Sequence, residues 1–144
     1  MDSKQPRSPA EKYALFLGLL LLAVGIAGFF YNGTFTSNEA IHDDMFGAFS
    51  VNGWGNTLNV LLGIWGLAAA GSWSGARTFS YAAGLLLVAV AVWGFILGEG
   101  QSILSIIPVN TADDFAHLVL GLIGVLSAVG TSPEPDPTTA PVTG

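Results

Sequence analysis

Apolar positions fall into four stretches, residues 13–31, 56–71, 79–97 and 113–129, separated by polar or glycine-rich joints. Leu, Ala, Val and Ile recur on every face at helical spacing, so no amphipathic stripe is left, and the pattern predicts helices surrounded by lipid. A span needs about 17 to 25 residues to cross roughly 30 Å of hydrocarbon. The second and fourth stretches are short, which places their polar first turns at a membrane edge. The expected fold is an all-α membrane protein of four transmembrane helices. Before it lies a tail, residues 1–12; after it, residues 131–144 carry four prolines among Thr and acids and are expected to be extended or disordered. Ser8, Pro9 and Glu11 supply a cap, a first-turn proline and a capping-box acid for the first helix. That helix is too long for a signal-peptide core and lacks an A-x-A site, so it is expected to be retained. In the first loop, Ile41, Met45, Phe46 and Phe49 recur at helical spacing after Ser37, predicting a short helix on the outer leaflet or over the bundle.

The chain also matches itself. Shifted by 66, Gly18, Leu19, Leu20, Ala23, Gly28 and Phe29 fall on Gly84, Leu85, Leu86, Ala89, Gly94 and Phe95. Shifted by 58, Val51, Asn52, Leu62, Gly63 and Gly66 fall on Val109, Asn110, Leu120, Gly121 and Gly124. The predicted unit is a helical hairpin used twice, its copies parallel and related by a pseudo-twofold axis along the membrane normal. Glycines at 18, 25, 28, 63, 66, 121 and 124 form stripes that permit close backbone approach, within one subunit or at a homo-oligomer seam.

Composition sharpens this picture. Of the 144 residues, 51% are hydrophobic and 10% charged, against about 25% charged in soluble domains. There is no Cys, which removes disulfides, thiolate nucleophiles and zinc ribbons from this sequence. A formal charge of -6 disfavours nucleic acid as a partner. The bases Lys4, Arg7, Lys12 and Arg77 all fall on one side of the predicted spans, with Arg77 in the turn between spans two and three. The positive-inside rule then puts both termini in the cytoplasm and the acids Glu39, Asp43, Asp44 and Glu99 outside. Tyr13, Trp73 and Tyr81 are expected as inner interface anchors, with Phe30, Tyr31 and Trp54 as outer ones.

Candidate chemistry sits where the second helix of each repeat begins. His117 follows Asp113 by four residues and Asp114 by three, and their repeat mates are Gly55, Asn56 and Asn59. Asn56, Asn59, Asp113, Asp114 and His117 are expected to form a polar interhelical cluster near the outer edge, with Asn56 and Asn59 facing Asp114 and His117 across the axis. His42, Asp43 and Asp44 of the first loop could add a cation site, with a proton relay as another reading. The competing reading is structural: Thr111 to Asp114 follow a capping pattern, and first-turn acids suit the helix dipole. No nucleophile motif, P-loop, dinucleotide fingerprint or H-E-x-x-H occurs.

Phe46 to Asn52 leading into Asn56 to Gly63, and Ile107 to Asn110 leading into Ala112 to Gly121, resemble a bacterial family of small four-span membrane proteins whose domain has no assigned function. The resemblance spans residues 13–129 and implies an inner-membrane location. Asn59 stands where that family often has His, and Asp114 where it often has Asn. The reading is a non-enzymatic structural or accessory subunit of a membrane assembly, with no metal or other cofactor, lipid as its solvent and another membrane protein as a candidate partner. The alternative is a small transporter or channel subunit; an outer-face metal enzyme is the third reading.

Overall fold

Four helices and two short antiparallel hairpins make up residues 6–35 and 43–132, the part of the chain that the computed structural model describes. In chain order they are α1 (Pro9–Tyr31), β1 (Asp43–Met45), β2 (Phe49–Val51), α2 (Gly53–Ala69), α3 (Trp73–Leu97), β3 (Ser102–Ile103), β4 (Ile107–Pro108) and α4 (Thr111–Val129). Among them α1, α3 and α4 are long and apolar enough to cross a membrane, and α2 has 17 residues. Ser8 and Glu11 form the capping box at the start of α1, with Pro9 in its first turn.

The packing inverts the arrangement of a soluble core. Large apolar side chains stand on the outside, Phe30, Ile96, Leu126 and Val129 among the most exposed, while Gly and Ala line the contacts between helices. α1 packs chiefly on α2, and α3 on α4. Gly18 lies against the backbone of Gly63, Gly66 and Leu67, and Gly84 against that of Gly121 and Val125. Without side chains at these points the backbones approach closely enough for dispersion contacts to hold the helices together. The glycine stripes are thus occupied inside the chain.

The α1–α2 and α3–α4 contacts correspond at Gly18 and Gly84 and at Gly63 and Gly121, and the two pairs meet through Tyr13 and Phe79. The Tyr13 ring covers Gly124, and the Phe79 ring covers Gly66. The two rings meet at a centroid distance of 6.5 Å. Tyr13 is buried and donates its hydroxyl to the Leu120 carbonyl at 2.9 Å. It is therefore not the lipid-facing anchor expected of it, because the notch above Gly124 takes the ring and a carbonyl takes the hydroxyl. Arg77 lies inside α3 rather than in a turn, with its Nε donating to the Ala128 carbonyl and its guanidinium between Trp73 and Tyr81.

The first loop corrects another expectation. Residues 43–51 form a hairpin, not a helix, with Met45 paired to Phe49 across Phe46, Gly47 and Ala48. A three-residue loop pairs position i with i+4, which imitates helical spacing. Phe46 and Gly47 take the left-handed conformation, at φ 58° and 67°, that turns the chain back on itself. Ile103 and Ile107 pair in the same way across Leu104, Ser105 and Ile106, with Leu104 and Ser105 left-handed. Ser37, Glu39 and Ile41 lie outside the described residues.

Candidate functional site

The end of the bundle that carries the hairpins is organised by two asparagines. Asn52 caps α2 by accepting the Gly55 N–H at 2.8 Å, and Asn110 caps α4 by accepting the Asp113 N–H at 2.8 Å. The cap of α4 is therefore Asn110, and Thr111 is already the first helical residue. Each amide then spends its donor on the opposite hairpin. Asn52 Nδ2 donates to the Ile106 carbonyl at 2.6 Å, and Asn110 Nδ2 to the Ala48 carbonyl at 2.8 Å. Ala48 and Ile106 are the third loop residues of their hairpins, so the two bonds are the same bond made in opposite directions. Asn110 Nδ2 also donates to Ser50 Oγ at 2.9 Å.

Below these caps the five polar residues singled out from the sequence divide into two groups. Asn56 is fully buried, seated in the notch of Gly28, and donates to the Asn32 carbonyl at 2.8 Å. Asp114, 3% exposed, occupies the matching notch of Gly94. The Oδ1 atoms of Asn56 and Asp114 are both buried without a hydrogen-bond partner among the described residues. Each of these side chains is thus turned into the first helix of its own pair.

Asn59, Asp113 and His117 instead converge on a cavity of about 250 Å³. Leu20, Leu21 and Val24 of α1 and Leu120 of α4 form its apolar wall, and Met45, Phe46, Phe49, Ser50 and Val51 of the first hairpin form the rest of it with Ala116. Asp113 Oδ2 accepts the Ser50 N–H at 2.9 Å. His117 Nδ1 is buried with no hydrogen-bond partner among the described residues. Asp44 is exposed and accepts the Ser50 hydroxyl at 3.0 Å. His42 and the side chain of Asp43 lie outside the described residues, and among those described no three His, Cys, Asp or Glu side chains group to hold a metal. Chemically, the cavity is lined by one carboxylate, one imidazole ring, whose Nδ1 is itself buried, and one amide above an apolar floor.

Sequence reasoning missed Ser50, the asparagine caps and the glycine notches. The repeat itself held the signal: Gly28 and Gly94 are separated by the same 66 as the first helices, and Asn56 and Asp114 by the same 58 as the second.

These features define a class: a mostly helical protein whose long apolar helices pack through glycine and expose large apolar side chains, as a membrane protein does. More particularly, the chain belongs to the family described as a domain of unknown function, DUF4383, which matches residues 12–130. The resemblance read from the Val-Asn turns and the His117-Leu118 helix start agrees with that assignment to a domain of unknown function. Comparison with curated proteins and with solved structures returns no match.

Proposed function

We propose that this chain is a non-enzymatic, four-span protein of a bacterial inner membrane, built as two parallel hairpin repeats with both termini cytoplasmic, and that it serves as a structural or accessory subunit of a membrane assembly. The observation that carries this reading is the inverted packing. Glycine and alanine close the interior, and large apolar side chains face outward. α2, although short, begins at the level of α4, because their caps bond to one another's hairpins, and it packs on α1 as α4 packs on α3. The reciprocal asparagine bonds and the Tyr13–Gly124 and Phe79–Gly66 contacts are what a parallel duplication about an axis along the membrane normal produces. The orientation follows from the four bases.

Because the glycine faces are occupied within the chain, partner contacts belong on the outer apolar surface, for example around Leu61 and Ile64 of α2 or Leu122 and Leu126 of α4. A transporter or channel is disfavoured by the same interior: Tyr13 and Phe79, both buried, occupy the place between the pairs that a pathway would need. Photo-crosslinking amino acids at positions 61, 64, 122 and 126 in native membranes test the subunit role. Protein adducts concentrated on one helix face are expected; lipid adducts alone at all four positions overturn it.

A further inference from the structure

The cavity at the hairpin end has charge and shape that the subunit role does not use. Its one carboxylate, Asp113, has no side-chain cation near it among the described residues. Arg7 and Lys12 flank the start of α1, and Arg77 is bonded to Ala128 at the far end of α4, about 15 residues or roughly 22 Å along the helix from Asp113. Ser50 N–H occupies Asp113 Oδ2, and Oδ1 has no hydrogen-bond partner among the described residues. A carboxylate drawn out of water without a cation is costly, and a cationic hydrogen-bond donor offsets that cost best.

Polarity also runs in one direction through the cavity. Asp113 and Ser50 stand at the hairpin level, His117 lies about 6 Å further along α4, and Leu120 a further turn down beside Leu20 and Leu21. At about 250 Å³ the space is smaller than the roughly 300 to 1,000 Å³ usual for whole small molecules. It fits a head group and the beginning of a chain, with Phe46 and Phe49, both exposed, as the route by which the remainder reaches lipid.

From this geometry we infer that the cavity binds an amphiphilic primary amine, its ammonium donating to Asp113 and to the Asn59 side-chain oxygen beside the His117 ring, its apolar body along Leu20, Leu21 and Leu120. Among the described residues there is one such site. The position that matches Asp113 in the other half is Gly55, and the one that matches Ser50 is Pro108, so neither the acid nor its N–H donor is repeated. The inference rests on the membrane setting proposed above and is independent of the subunit role. The amine is either a membrane aminophospholipid or a free long-chain amine.

The test uses the purified full chain in a non-ionic detergent, titrated calorimetrically with dodecylamine and with dodecanol. Dodecylamine is expected to bind one per chain and at least tenfold more tightly than dodecanol. Asp113→Asn, whose amide oxygen still accepts from Ser50, is expected to bind the two equally, and Glu99→Gln, in the exposed loop after α3, to behave as wild type. Native mass spectrometry separates the sources. An aminophospholipid that co-purifies and is displaced by dodecylamine identifies the lipid; dodecylamine binding to a lipid-free chain identifies a free amine. Equal binding of amine and alcohol by the wild type overturns the proposal without any variant. So does amine binding undiminished in Asp113→Asn, or lost in Glu99→Gln.

Discussion

Set side by side, the α1–α2 half and the α3–α4 half share their packing and differ in their chemistry. Both cap the second helix with asparagine, turn a hairpin through two left-handed residues, and seat a polar side chain in a glycine notch. Where the first half has Gly55, Asn56 and Asn59, the second has Asp113, Asp114 and His117. The acid at 113 occurs together with its donor, since Ser50 offers an N–H that Pro108 lacks. The packing tolerates this divergence because close backbone contact depends on the glycines, while the polar positions at the helix starts need only hydrogen-bond partners.

The largest effect is expected from the glycines that both halves share. An added Cβ at Gly63 lies 2.6 Å from the Leu22 backbone nitrogen, and one at Gly121 lies 2.7 Å from the Gly84 carbonyl oxygen. Backbone cannot step aside as a side chain can, so Gly63→Ala and Gly121→Ala should each cost about 3 kcal/mol, the upper end of overpacking. Gly71→Ala, with its nearest neighbour at 3.6 Å, should be neutral. Thermal unfolding in detergent checks all three, and a large loss at one glycine alone breaks the equivalence of the halves.

Next come the asparagines. Asn52→Ala and Asn110→Ala each remove a cap, worth about 1 kcal/mol, and a bond to the opposite hairpin, worth about a further 1 kcal/mol. Asn110 is expected to cost slightly more, because it also bonds Ser50 Oγ. Denaturant titration of the single variants and the double variant checks this.

Smaller effects sharpen the comparison by exchanging residues between halves. Asp114→Asn installs the amide of the first half, where Asn56 donates to the Asn32 carbonyl, and the equivalent acceptor by position is the Gly98 carbonyl. Stability should rise by about 0.6 kcal/mol, the mean for a hydrogen bond between membrane helices; a fall would mean that the acid has a partner of its own. Phe79→Tyr, the reverse exchange for Tyr13, adds a hydroxyl at a fully buried position; if it bonds the Leu62 carbonyl as Tyr13 bonds that of Leu120, stability should stay within about 0.5 kcal/mol of wild type by unfolding midpoint.

The apolar helices are legible in the sequence because lipid requires apolar residues on every face, a constraint that no partner elsewhere in the chain can relax. The hairpins are not, because Met45 and Phe49, or Ile103 and Ile107, have the spacing of a helical turn, and Phe46, Leu104 and Ser105 are not the residues that signal a left-handed turn. Thr111 looks as good a cap as Asn110, and only the bond to Ala48, from the other half, distinguishes them. Depth is readable at the candidate site, direction less so. Asp113 and Asp114 are about 100° apart around α4, and His117 is at helical spacing from both. Which acid turns inward is decided by Gly94, in another helix, whose notch takes Asp114 and leaves Asp113 to the cavity. Tyr13 has the residue type and position of an interface anchor, and its rotation toward Leu120 rests on a contact 107 residues away.

The central claim is that two equivalent hairpins cross the membrane, including the short α2, and the absence of native cysteine makes it directly accessible. Single cysteines at Asp44, before α2, at Ser74, after it, and at Glu99, after α3, all exposed positions, can be labelled in intact cells with a membrane-impermeant maleimide. Labelling at 44 and 99 from outside, with 74 reached only after permeabilisation, is the result predicted. Labelling of 44 and 74 from the same side would contradict it, because α2 would then not span and the two halves would not be equivalent.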